Sequence, residues 1–253
     1  MSPQTSRASI GWRNRSARLY RSLVEHGRRL ELTALLVFGI GVLSVWGFIE
    51  IADAVLEGDA RELDVGIILA LRSPGDVADP IGPAWLEQIV RDFTALGGTA
   101  ILTTITLAVA GYLILMHKKR MAALLLLAIC GGLLLSTLGK TVFDRPRPDL
   151  VPHHAQVYTA SFPSGHSMMA AVTYLTLGAL LARIHKRRAV KLYFLGLAAL
   201  LCIAVGASRV YLGVHWPTDV VAGWAAGAAW AMLCWLIAWR LQKRRVVEPG
   251  IQG

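Results

Sequence analysis

Six long apolar runs restrict this chain more than any other feature: about Leu32 to Ile51, Thr99 to Met116, Met121 to Gly139, Ser167 to Ile184, Val190 to Ala207 and Val220 to Trp239. Each approaches the roughly 20 residues a helix needs to cross about 30 Å of hydrocarbon. Irregular backbone facing lipid would leave N–H and C=O groups unpaired, so such runs fold as helices or as strands of a closed barrel. Barrel strands alternate apolar and polar residues, and that alternation is absent. A mean hydropathy of +0.53 and a charged fraction of 17 % agree, because soluble domains carry about 25 % charged residues. The expected fold is all-α, a bundle of six transmembrane helices over residues 32–239 in a lipid bilayer.

The charges orient the bundle. Of 26 Lys and Arg, seven lie in residues 1–31, three in 118–120, five in 183–191 and four in the tail 240–253, which leaves seven for the alternate loops. Acids fall the other way, with ten of 16 between Glu50 and Asp92. The positive-inside rule then places both termini in the cytoplasm and the 50–98 loop outside. The first run is longer than a signal-peptide core and reads as a retained helix. Residues 1–31 form a basic flank that an amphipathic helix on anionic lipid would also explain. The 50–98 loop is expected to hold short helices near Glu62 to Arg72 and Trp85 to Thr94. A net charge of +10 could suggest nucleic acid, but the cations flank the apolar runs, so no nucleic-acid partner is expected. Cys130, Cys202 and Cys234 each sit inside an apolar run and read as small buried residues. The GxxxG spacing of Gly223 and Gly227 permits close helix approach, read as packing within the bundle. Oligomeric state is left open.

Ionisable residues near hydrocarbon are costly and mark function. Three segments on the outer face carry them, all within residues 140–219. Lys140, Arg147 and Arg209 supply three cations, the arginines as planar forks that match phosphate oxygens. Ser164 and Gly165 sit where a helix begins, with free N–H groups and the positive dipole end available to an anion. His215 and Asp219 are four apart, so the carboxylate can orient the imidazole and leave its other nitrogen free to attack. His215 thus reads as nucleophile and His166 as the acid that protonates the departing oxygen. Three cations and a helix N-terminus suffice to offset phosphoryl charge, so no metal or other cofactor is expected. Metal ligation by His166, His215 and Asp219 is the rival reading, opposed by the three nearby cations.

Taken together, the segments resemble the signature of the type-2 phosphatidic acid phosphatase superfamily: Lys, six residues, Arg-Pro; Pro-Ser-Gly-His; then Ser-Arg, five residues, His, three residues, Asp. Lys140 to Pro148, Pro163 to His166 and Ser208 to Asp219 match it in residue and spacing. The resemblance implies a six-helix, metal-independent membrane phosphatase acting through a phosphohistidine at His215. Asp219 would orient it, His166 would act on the leaving group, and Lys140, Arg147, Ser164, Gly165 and Arg209 would bind phosphate.

A bacterial inner-membrane enzyme with its site facing the periplasm is expected. Its substrate would be a phosphorylated membrane lipid: undecaprenyl diphosphate, favoured by analogy alone, or phosphatidylglycerophosphate or phosphatidate. A lipid phosphotransferase and a non-enzymatic protein binding anionic lipid are the alternatives. Outside the motifs, Asp144, Arg145 and Asp149 are expected to orient Arg147, with Arg145 a possible fourth cation for a diphosphate. His153 and His154 read as solvated loop histidines. Tyr158, Phe162, Tyr211 and Trp216 read as entrance or interfacial aromatics.

Overall fold

The computed structural model describes residues 6–151 and 159–244, with side chains from residue 31 onward. The chain folds as α1 (Ser6–Glu57), α2 (Arg61–Ala70), a hairpin of β1 (Arg72–Ser73) and β2 (Asp76–Pro80), α3 (Ala84–Ala95), α4 (Thr99–Leu115), α5 (Lys119–Phe143), α6 (Gly165–Ile184), α7 (Arg188–Tyr211) and α8 (Pro217–Lys243). From Ser6 the backbone of the basic flank continues without a break into the first span, and the spanning part of α1 is Glu31–Glu57.

Among the described residues, five helices are long and apolar enough to cross a membrane. The sixth expected span is α4, 17 residues long and joined to α3 across a 46° bend. Gly97 and Gly98 occupy that bend, where a helix gains least from continuing. The short helices expected in the 50–98 loop are present as α2 and α3, and the hairpin between them was not anticipated.

The bundle is sorted by size. Ala122, Ala128, Ala170, Ala171, Ala198 and Ala222 are buried between helices, while Leu35, Leu127, Leu192 and Leu200 face outward. Lipid is as apolar as leucine, so close approach of small residues, not segregation of hydrophobic ones, holds such helices together. α6 lies at the centre, packed against α7 and α8, and α1 packs on α8. A Cβ on Gly223 would stand 2.7 Å from the Ser164 carbonyl oxygen, and one on Gly227 would stand 2.6 Å from that of Met168. The GxxxG stripe is thus the seat of α6 against α8. Cys130 is exposed on α5, contrary to the expectation of burial; Cys202 is buried.

The C-terminal ends of α5 and α7 and the N-terminal ends of α6 and α8 meet at one end of the bundle, beneath α2, the hairpin and α3. Tyr174 of α6 donates to the Leu96 carbonyl (2.8 Å), Arg72 to that of Tyr211 (2.9 Å), and the Tyr211 hydroxyl to that of Ile81 (2.8 Å). These bonds fasten the cap to the spanning helices.

Candidate active site

Each motif segment sits at a helix terminus for a local reason. α5 stops at Asp144, whose left-handed φ of 39° turns the chain out of the helix. Arg145 and Arg147 each precede a proline, which disfavours helical dihedrals and holds the segment extended. Ser164 is the N-cap of α6: its hydroxyl accepts from the Ser167 backbone N–H and the Ser167 hydroxyl. Pro217 opens α8, where its missing N–H costs nothing, and Asp219 in the same turn accepts from the Trp216 N–H at 3.0 Å. The Ser164 N–H donates to the Asp219 carbonyl at 3.0 Å, which locks the second segment onto the third.

Lys140, Arg147, His166, Arg209 and His215 lie within electrostatic reach of one another. Lys140 donates to the Thr159 hydroxyl (2.8 Å) and the Ala160 carbonyl (3.1 Å). Arg147 donates to the carbonyls of Thr159 (2.7 Å) and Val214 (2.6 Å). Arg209, only 3 % exposed, donates to the Thr94 hydroxyl at 2.9 Å, and its Nε has no partner among the described residues. Gly165 stands beside Lys140: a Cβ there would meet the lysine Cε at 3.5 Å.

His215 is buried, with Arg147 Nη1 at 3.1 Å from its Nε2 and Asp219 Oδ2 at 3.4 Å from its Nδ1. A guanidinium has donors and no acceptor. Nε2 therefore accepts, the proton of the neutral ring is on Nδ1, and that N–H points at the carboxylate. Burial, reinforced by Arg147, Arg209 and Lys140, holds the His215 pKa well below the ordinary histidine value. Nε2 thus stays unprotonated, its lone pair accepting from the Arg147 guanidinium.

A sequence profile of the PAP2 superfamily matches residues 121–243. Phosphatidylglycerophosphatase B of Bacillus subtilis is 34 % identical over 150 residues, 56 % of this chain and 70 % of that one. The chain belongs to the PAP2 superfamily. An undecaprenyl-diphosphatase of Sulfolobus acidocaldarius is 27 % identical over 149 residues, 57 % of this chain and 63 % of that one. The crystal structure of a transmembrane PAP2-type phosphatidylglycerolphosphate phosphatase from Bacillus subtilis superposes with a TM-score of 0.70 at 28 % identity, covering 79 % of this chain and 96 % of that one. The protein is accordingly a multi-pass membrane hydrolase of the PAP2 lipid-phosphatase class.

Several expectations around the PAP2 motifs need correction. Arg145 does not orient Arg147 and is not a spare cation: it pairs with Asp219 Oδ1 (2.6 Å) and Asp64 Oδ2 (2.8 Å). Phe162 is fully buried against Phe48 and Phe143, and Trp216 is buried, donating to the Pro146 carbonyl at 3.0 Å. Tyr211 is buried too. Phe162 and Trp216 therefore pack inside the fold and do not line an entrance, whereas Tyr211 borders an apolar groove between α2, α3, α7 and α8. His153, His154 and Tyr158 lie outside the described residues. Asp64, Thr94 and Thr159 were missed, and the first two fall outside the PAP2 match. Asp64 sits among ten acids in a polar loop, where nothing in the sequence separates it from a solvated neighbour.

Proposed function

We propose that the protein cleaves a phosphomonoester from a membrane lipid by way of a phosphohistidine on His215, with the site on the non-cytoplasmic face. The observation that carries the mechanism is the His215 ring, with Nδ1–H directed at Asp219 and Nε2 directed at the Arg147 guanidinium. The terminal phosphate takes the place between Lys140, Arg147, Arg209 and the N-terminus of α6, where Ser164 and Gly165 begin the helix. His215 Nε2 attacks phosphorus, the bond from phosphorus to the lipid oxygen breaks, and His166 protonates that oxygen. Asp219 balances the positive charge on the phosphorylated ring. Water then attacks phosphorus, His166 takes its proton, and the P–N bond breaks to restore His215. Asp219 already accepts from Arg145, the Trp216 N–H and His215. About three of the four acceptor sites of that carboxylate are thereby engaged, and Lys140, Arg147 and Arg209 oppose a further cation there, which supports a metal-independent reaction.

Phosphatidylglycerophosphate is the substrate this arrangement favours. A relative and a structural neighbour bear that activity in their names, and Arg145, which a diphosphate would have used as a fourth cation, is held by two carboxylates. An apolar groove of about 420 Å³ between α2, α3, α7 and α8, lined by Ile67, Phe93, Val220 and Trp224, reaches Ser208 and Pro217 of the third motif and offers an acyl chain a lateral approach. The test is phosphate release by purified protein in EDTA from phosphatidylglycerophosphate, undecaprenyl diphosphate and phosphatidate side by side, with His215→Ala as control. Release greatest from the first, and absent in the variant, is expected. Preference for undecaprenyl diphosphate overturns the substrate assignment, and activity lost to EDTA and restored by a divalent ion overturns the mechanism.

A further inference from the structure

The outer cap is joined to the reacting groups by one buried bridge. Asp64, on α2, and Asp219, on α8, are both fully buried, and Arg145 stands between them. Its Nη1 donates to Asp219 Oδ1 (2.6 Å) and to the Thr218 hydroxyl (2.8 Å), while its Nη2 donates to Asp64 Oδ2 (2.8 Å). Asp64 also accepts from the Thr218 N–H (2.9 Å) and hydroxyl (2.6 Å), capping from outside the turn that carries Asp219. The guanidinium carbon lies 5.5 Å from the centre of the Trp216 ring, so the cation is fixed on its remaining side as well.

We propose that Asp64 is a positioning residue for the PAP2 reaction: by sharing Arg145 with Asp219 it keeps the Asp219 carboxylate turned toward His215. The physical reason is charge division. One guanidinium between two carboxylates leaves the trio one negative charge, available to the ring that becomes cationic when phosphorylated. Without Asp64, Arg145 closes onto Asp219 as an undivided fork, and the 3.4 Å contact to His215 is the contact it weakens. Asp64 lies outside residues 121–243, so the PAP2 profile does not include it.

The inference rests on the roles given above to His215 and Asp219. Phosphate release by wild type that His215→Ala lacks secures the nucleophile independently, so a negative result with Asp64 variants then falls on the bridge alone. Asp64→Asn, Arg145→Gln and the double variant are compared by kcat, KM and the pH profile of kcat/KM. Each single change is expected to lower kcat about 10- to 100-fold, the range seen where a partner that orients a metal-ligating side chain is lost, with little change in KM. The double variant should be no worse than either single one, because both remove the same bridge.

The pH profile separates positioning from loosening. His215 faces Arg147 and Lys140 from the α5 end, His166 from α6, Arg209 from α7 and Asp219 with its bridge from α8. Removing one negative charge makes the ring harder to protonate and moves the acid limb to lower pH. Loosened packing that admits water moves it up, toward an ordinary histidine. An upward shift in Asp64→Asn, single effects that multiply in the double variant, or wild-type kcat in Asp64→Asn overturns the proposal. Should Asp64→Asn fail to fold, the double variant keeps the trio's net charge of one negative, now on Asp219 alone, and wild-type kcat in it is equally fatal.

Discussion

Replacing Asp219 by Asn tests whether the carboxylate sets the tautomer of His215. In the wild type, Oδ1 accepts from Arg145 at 2.6 Å, while Oδ2 accepts from the Trp216 N–H at 3.0 Å and faces His215 Nδ1 at 3.4 Å. An amide has one acceptor oxygen, and Arg145 and Trp216 are both obligate donors. With the oxygen turned to Arg145, the NH2 group faces His215 and calls for an Nδ1 that accepts. The ring proton then moves to Nε2, where it opposes the Arg147 donor at 3.1 Å and removes the attacking lone pair. The equivalent change in a serine-protease triad costs about 10⁴-fold in kcat, or about 5.4 kcal/mol of barrier. The same loss is expected here, with a measurable residue of activity. Stability should fall less, by about 1–3 kcal/mol for one compromised buried hydrogen-bond set, because Arg145 keeps Asp64. Phosphate release at saturating lipid and thermal unfolding in the same detergent measure the two quantities. A folded Asp219→Asn variant within about tenfold of wild type, well short of the loss that the wrong tautomer causes, would refute the reasoning.

Two further outcomes follow from the geometry. His215 is buried neutral, so below about pH 6.5 the unfolded chain takes up a proton that the folded one refuses, and stability falls as pH drops by up to about 1.4 kcal/mol per unit. A His215→Gln variant should lack that part of the slope when unfolding temperatures are compared between pH 5 and pH 7, and an identical slope contradicts the assignment. Gly223→Ala places a Cβ 2.7 Å from the Ser164 carbonyl oxygen, whereas Gly41→Ala meets Met232 Cβ at an ordinary 3.5 Å. The first should cost about 1–3 kcal/mol and lower activity by displacing the start of α6. The second should leave both unchanged, and equal unfolding temperatures would show that the α6–α8 seat is not tight.

The parts of this protein that were legible in its sequence are those carried by local rules. The apolar runs announce five spans, and a sixth where the bent pair α3 and α4 counts as one, because the bilayer demands length and apolarity in each segment by itself, and the motif residues announce themselves because charge near hydrocarbon needs a reason. The Arg147 and His215 assignments rest on spacing within single segments. What was hidden depends on packing across the chain. Arg145 reads as one more cation until α2, 81 residues earlier, brings Asp64 against it. Thr94 reads as the end of an amphipathic helix until the α3–α4 bend sets its hydroxyl on Arg209. Phe162 and Trp216 resemble interfacial aromatics by position, yet the cap and α1 cover them.

The cation cluster implies that site and stability oppose each other. Lys140, Arg147 and Arg209 are held by carbonyls and hydroxyls, and among the described residues none of the three has a carboxylate partner. Three like charges beside a buried neutral histidine repel one another in a poorly solvated place, and the folded state carries that cost until an anion arrives. Lys140→Met removes one charge and keeps most of the stem. It should therefore raise the unfolding temperature of the ligand-free protein while weakening its response to anions. Vanadate, a phosphate mimic, should stabilise the wild type by about 2.7 kcal/mol at a hundred times its dissociation constant, with the shift shrinking as salt screens the cluster. In Lys140→Met the same vanadate concentration should produce a much smaller shift. A variant destabilised without ligand, yet stabilised by vanadate as strongly as wild type, would mean that Lys140 serves packing and that the phosphate is held by the two arginines and the α6 terminus alone.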